Sequence, residues 1–241
     1  MSVNQIVRMI PTLKVNNRNL NELFYVENLG MKPLLEESAF LSLGDQTGIE
    51  KLVLEESPSM RSRKVEGTKK LARLIVKVEN PSEIEALLAR MDKIPPLYKG
   101  NKGYAFEALS PEGDCVLIHA EDDIKNLKKV EDEITFSKDE SMKYLTAFEI
   151  SVEVNLPDET RSLLEKEDIE GRLAFNQGQG SDLLVENNVT WDLSMLKFQV
   201  KEFNLAILRQ RFETADCFVP KSEKFFLTKD SNNIELWFEQ V

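Results

Sequence analysis

Histidine is almost missing from this chain: 241 residues contain one, His119. A zinc protease built on two or three imidazoles at helical spacing is thereby excluded in its usual form, and a serine or cysteine protease has a single candidate base. Cysteine is scarce too, and Cys115 and Cys217 allow at most one bridge, so no disulfide scaffold holds the fold. No apolar run approaches the roughly 20 residues of a bilayer span, and no membrane partner is expected. The start, "MSVNQIVRMIPTLKV", lacks a basic region followed by an apolar stretch and a cleavage site. The expected location is therefore the cytoplasm, and an extracellular role would need unconventional export. Basic residues number 31 against 42 acidic ones, and the net charge of −11 repels phosphate backbones. No nucleic-acid partner is expected. Arg61, Arg63, Lys64, Lys69 and Lys70 cluster in "SPSMRSRKVEGTKK", which has no aromatic residue to stack on a base and reads as a solvated loop.

What is present is a repeated order of elements. "IVRMIPTLKV" (6–15) is β-branched and apolar enough for a strand. A helix follows, with Leu20, Leu23, Phe24 and Leu29 at helical spacing, Asn residues for the N-cap and Gly30 for the left-handed C-terminal position. "FLSLGD" and "EKLVLEE" add strands. The order returns in "KKLARLIVKVEN", the helix "PSEIEALLARM", and a hairpin of "GYAFEAL" and "DCVLIHAE". A third copy begins at "YLTAFEISVEV", with a helix expected near "LPDETRSLLEK". A fourth has "MLKFQVKEF", the helix "NLAILRQRFE", the strand-like "DCFVP" and the hairpin "EKFFLTKDSNNIELWFEQ". Four copies of about 50 residues suggest paired modules.

Residues 122–143, "DDIKNLKKVEDEITFSKDESMK", are mostly charged and bury little, so the domain boundary is placed there. Ile134 and Phe136 are the exceptions, able to pin the linker to a domain. The expected division is 1–121, with modules at about 6–56 and 69–121, a linker at 122–143, and a second domain at 144–241.

The helix "LNELFYVENLGMK" resembles the first helix of the vicinal oxygen chelate, or glyoxalase and bleomycin-resistance, superfamily through Phe24, Tyr25, Leu29, Gly30 and Met31. "SPEGDCVLIH" and "TKDSNNIELW" resemble its closing hairpins. The resemblance implies an α+β fold of two glyoxalase-like domains, each pairing two strand-helix-strand-strand-strand modules whose curved mixed sheets form a cleft. Such small modules cannot close a core alone, which agrees. The whole chain resembles the CppA family of Gram-positive bacteria, which implies a virulence-associated proteinase acting on complement component three as partner.

Metal-dependent members of the superfamily take ligands from the first strands of paired modules and from a closing-strand Glu. In the first domain these positions fall on Ile10, Arg73 and Leu117, a set that cannot hold a divalent ion. In the second they fall on Glu149, Met195 and Glu235, where two carboxylates would hold a hard cation only with help from water. No cofactor is expected, and a divalent metal on Glu149 and Glu235 is the alternative.

No recognised protease constellation is visible. Cys115 and His119 share a strand face, yet four residues of strand separate them by about 13 Å. Glu149 and Glu235 are the only acids the fold argument brings together. Catalytic residues stay unassigned, with Glu235, Glu149 and His119 as candidates; Arg73, Leu117, Met195 and Trp237 are the expected cleft lining. "NQGQGSD" (176–182) lacks the Gly-Lys-Ser/Thr ending of a phosphate cradle and reads as a turn. "YKGNKGY" (98–104) reads as a solvated loop. Three functions follow: the proteinase implied by resemblance, a non-metal small-molecule-binding or protein-interaction protein, and a metal-dependent isomerase or dioxygenase. A homodimer is compatible with each.

Overall fold

The computed structural model describes residues 4–58, 60–132, 134–136, 142–165, 169, 171–212 and 216–241. Its strands are β1 (Gln5–Val15), β2 (Lys32–Glu37), β3 (Phe40–Gly44), β4 (Glu50–Glu56), β5 (Leu71–Val78), β6 (Leu97–Gly100), β7 (Gly103–Leu109) and β8 (Cys115–His119). They continue as β9 (Lys128–Lys129), β10 (Phe148–Pro157), β11 (Leu173–Gly178), β12 (Leu193–Lys201), β13 (Cys217–Phe218), β14 (Phe225–Lys229) and β15 (Glu235–Gln240). The helices α1 (Arg18–Leu23), α2 (Ser82–Leu88) and α3 (Leu205–Arg211) are short. The architecture is α+β, built on mixed sheets.

Two compact units form, and neither is contiguous: one comprises residues 1–16, 57–72 and 152–241, the other 17–56 and 73–151. Each thus draws on both the 1–121 and 144–241 segments of the expected division. Inside the first unit the order is β13-β14-β15-β12-β1. β1 runs antiparallel to β12, with Ile10 opposite Lys197 and Thr12 opposite Met195. On its other edge β12 runs parallel to β15. The first strand of the first copy is therefore paired with the first strand of the fourth, where the second copy was expected.

Strict alternation explains the sheet. Leu196, Phe198, Val200, Leu236 and Phe238 are buried, while Met195, Lys197, Gln199, Glu235, Trp237 and Glu239 are half-buried between them. On the buried side Phe198 stacks on Phe238 with centroids 4.9 Å apart, and Phe212 and Phe226 extend the cluster. α3 is capped by Asn204, whose side chain accepts from Ile207 N at 3.1 Å.

In the second unit β2, β3 and β4 form an antiparallel meander, and β5-β8-β7-β6-β9 a mixed sheet with β5 parallel to β8. α1 begins at Asn17, whose side chain accepts from Leu20 N, and runs into a π-helical turn at Phe24–Asn28. Gly30, at φ +69°, closes it, its N–H donating to Val26 O and that of Met31 to Tyr25 O.

Three regions depart from the expectations. The helix near 156–166 does not form among the described residues: 158–165 are turns and coil. Asp230 takes the Leu163 N–H at 2.7 Å and the Ser162 hydroxyl at 2.6 Å, offering tertiary partners where a helix would use its own carbonyls. The basic stretch 57–70 is not a solvated loop either. Lys70 is 1% exposed, donating to Val185 O and Asn187 Oδ1, and Arg63 grips Asp182 through both guanidinium ends at 2.6 and 2.7 Å. Burial lowers the Lys70 amine to about 8. Finally, 98–104 is a tight β6–β7 hairpin, in which Lys99 lies over the Tyr104 ring and Lys102 pairs with Asp122.

Candidate functional site

The second unit presents the more developed site, on one face of β5, β8, β7 and β6. The register sets Ile75 beside Leu117 and Leu117 beside Glu107. Arg73 and Glu107 meet above this row at 3.3 Å, and Tyr98 donates its hydroxyl to the other Glu107 oxygen at 2.8 Å. Holding that bond raises the Tyr98 phenol, which stays protonated. Ile75, Ala105 and Leu117 form a buried cluster against which Tyr98, Ile124 and Leu127 pack. Ile124 and Leu127 come from the charged segment expected to be a linker. Phe136, from the same segment, meets Tyr104 edge-on at 5.2 Å, so part of it is indeed pinned.

Two cavities flank Glu107. One of about 270 Å³ lies between the sheet and the segment from 124, lined by Arg73, Tyr98, Glu107, Leu117, Ile124 and Leu127 among others. The other, of about 790 Å³, is walled by Phe24, Met91, Ile94, Pro95, Pro96 and Leu109, with Asn28, Lys93, Glu107 and Cys115 supplying polar atoms. That volume and that mixture suit a small-molecule pocket. The sequence reading missed this cavity, since its wall joins a π-helical turn to the 91–96 loop. Its rim carries the exposed Leu109, 69% accessible.

His119 is 4% exposed and its Nδ1 has no partner. Burial, with Lys77 and Arg73 nearby and only partly offset by Glu121, lowers the imidazole to about 4, so it is neutral at physiological pH. Cys115 is half-buried on a cavity wall rather than sealed in the core. The two lie at opposite ends of β8, a five-residue strand.

In the first unit the sheet face that bears Glu235 and Trp237, buried at Thr12 and Ile10 and half-buried across β12 and β15, carries three rows. Thr12, Met195, Glu235 and Lys229 form one; Ile10, Lys197, Trp237 and Leu227 the next; Arg8, Gln199, Glu239 and Phe225 the third. Arg8 donates to Gln199 at 2.7 Å, and Gln199 and Trp237 both donate to Glu239, at 3.2 and 2.9 Å. Phe225 stacks on Trp237 at 3.8 Å. Met195 and Glu235 are neighbours, as expected. Glu149 belongs to the second unit and is exposed, and both edges of β12 are taken by β1 and β15, so Glu149 is not on a strand beside Met195. Among the described residues no group of three or more His, Cys, Asp or Glu side chains is placed to hold a metal ion.

The registers also move one equivalence. β7 and β8 pair Leu109 with Cys115, and β14 and β15 pair Lys229 with Glu235, with a five-residue turn in each hairpin. Ser110 N–H donates to Asp114 O as Asp230 N–H donates to Ile234 O, and Gly113 and Asn233 both have positive φ. Cys115, not Leu117, is thus the counterpart of Glu235, and Leu117 that of Trp237. A shift of two keeps every side chain on its face, so periodicity alone cannot detect it.

Paired strand-helix-sheet modules with closing hairpins define a glyoxalase-like protein of the vicinal oxygen chelate fold. Superposition agrees: a glyoxalase I variant from Zea mays matches with a TM-score of 0.55 at 11% identity, over 98% of this chain and 94% of that one. The CppA N-terminal family matches residues 8–130 and the CppA C-terminal family residues 145–238, so the chain belongs to the CppA family. The crystal structure of the cppA protein from Streptococcus pneumoniae TIGR4 is 64% identical over the full length of both chains, with a TM-score of 0.95. A search of curated proteins gives no match.

Proposed function

We propose that this CppA-family chain is a non-metal binding protein whose small-molecule ligand occupies the cavity of about 790 Å³ in the second unit. The observation that carries the reading is the cavity itself: apolar walls for a ligand's body, and Asn28, Lys93 and Glu107 to orient its polar end. Glu107 is held in place by Arg73 and Tyr98, so that end meets a fixed carboxylate. The chemistry is recognition. A small-molecule panel scored by melting temperature tests it, beside an Ala108→Trp variant that fills the cavity. Compounds that raise the wild-type Tm by about 2 °C or more through binding should lose that effect in the variant. No shift in either protein, or equal shifts in both, overturns the reading.

Cleavage of complement component three is the activity implied by family resemblance, and it needs its own test. Cys115 and His119 lie at opposite ends of one strand and the histidine is buried and neutral, which favours binding over thiol proteolysis. Wild type, His119→Ala and Glu235→Gln would be incubated with the complement component. Cleavage lost in one variant would restore the proteinase reading; equal cleavage by all three would point away from both residues. A metal-dependent isomerase or dioxygenase centred on Glu149 and Glu235 is tested by adding divalent ions to chelator-treated protein, where an unchanged Tm is the expected result.

A further inference from the structure

The segment from Asp122 to Val130 is seated on the Leu117 face like a bound peptide. Its apolar residues recur at every third position, and Ile124, Leu127 and Val130 are half-buried while Lys125, Asn126, Lys128 and Lys129 are exposed. Ile124 and Leu127 drop onto Ile75, Ala105 and Leu117. The chain then adds a two-residue strand to the edge of the sheet, Lys129 opposite Tyr98 and Lys128 opposite Lys99, with Val130 N–H donating to Leu97 O at 2.9 Å. Anchors in a pocket followed by backbone pairing at an exposed edge is the way strand-adding peptides are recognised. The fit is incomplete, because a cavity of about 270 Å³ is lined by both anchors together with Arg73, Tyr98, Glu107 and Leu117. Larger side chains would fill it, and a short edge strand with half-buried anchors opens at low cost.

We infer that this face is a peptide-binding groove, filled in cis by residues 124–130, and that it accepts in trans a partner segment of the same pattern. That segment carries two bulky apolar anchors three residues apart, then basic residues extended along β6. Lys128 stands opposite Lys99 and Glu107 is already paired with Arg73, so the basic residues are favoured by the net charge of −11 over the whole chain and not by a local acid. The groove shares only Glu107 with the larger cavity proposed for a small molecule, and its test reads peptide binding, so the two can fail separately.

The test uses the full chain and fluorescein-labelled peptides read by anisotropy. One peptide has the sequence of residues 122–131, a second has Phe at both anchors, and a third has Glu in place of its three lysines. They are titrated into wild type and into an Ile124→Ser, Leu127→Ser double variant. The Phe-anchored peptide should bind the variant at least about tenfold tighter than wild type, since the covering segment has been weakened, and should bind better than the native-sequence peptide; the Glu peptide should bind neither protein. Equal affinity for both proteins, or no binding to a variant that still melts cooperatively, overturns the inference. Should the variant not fold, hydrogen exchange on wild type decides. The Val130 amide should exchange at least about a hundredfold faster than the Ile118 amide within β8; equal protection would make the segment a permanent part of the core and end the proposal.

Discussion

The closing hairpins of the two units place five residues between equivalent paired positions, yet Cys115 and Leu117 stand in one where Glu235 and Trp237 stand in the other. In the second unit the aliphatic Leu117 draws Ile75, Ala105, Ile124 and Leu127 into a covered cluster. Its polar groups, Arg73, Glu107 and Tyr98, are held at the margin by one another. In the first unit the same rows carry Glu235, Lys197 and Trp237, half-buried on a surface where Arg8, Gln199 and Glu239 form a fence and Phe225 stacks on the indole. One backbone thus serves a covered apolar face and a polar, aromatic one. A change of two side chains on a strand decides how much of a sheet face must be hidden from water.

The largest effect should come from breaking that difference at its centre. Leu117→Glu puts a carboxylate into the covered cluster and should cost about 3 kcal/mol or more, or raise the acid's pKa far enough to keep it neutral. Denaturant unfolding checks it, and a loss below about 1 kcal/mol would mean that the face is already wet. Next comes pH. His119 is about 4 in the folded chain against an ordinary value of 6.5, so the unfolded chain takes up its proton first as pH falls. Stability should therefore decline between about pH 6.5 and 4, by on the order of 3 kcal/mol in all from this group, with no further loss below. His119→Leu should remove that component, which a comparison of unfolding at pH 7 and pH 4.5 would read.

Trp237→Ala, at the Leu117 counterpart, should cost about 1 to 2 kcal/mol through the lost stack on Phe225 and the lost bond to Glu239, less than Leu117→Glu because the residue is half-open. The smallest effect is expected for Cys115→Glu, which gives the second unit the acid its partner hairpin carries. On the wall of an open cavity it should change stability by less than about 1 kcal/mol. A cost as large as that of Leu117→Glu would mean that position 115 is sealed from water and that the two hairpins do not differ there as described.

Much of the fold was legible before any coordinates. The period of two in β12 and β15, the Asn17 cap, the Gly30 terminus and both closing hairpins are local features, and local backbone physics writes them into the chain. Phe136 stood out as an anchor because it is aromatic within a charged run. Of the site, Arg73 and Leu117 were found as lining residues through their place on the strands. Glu107 and Tyr98 were not, because their roles come from the turn of one β7 side chain toward β5 and β6. The cavity beside Phe24 was hidden for the same reason.

By itself, then, the sequence determined most of the strands, their faces, and the side chains those faces would offer. Tertiary structure alone decided that β1 lies beside β12, that Asp182 and Asp192 draw the basic stretch 57–70 inward, that Asp230 unmakes a helix, and that the 122–130 segment covers the Leu117 face. Strand alternation and capping cost and return their free energy within a few residues. Pairing partners and buried charges are settled only when distant segments compete for the same hydrogen bonds and the same apolar surface, and that competition has no period for a sequence to display.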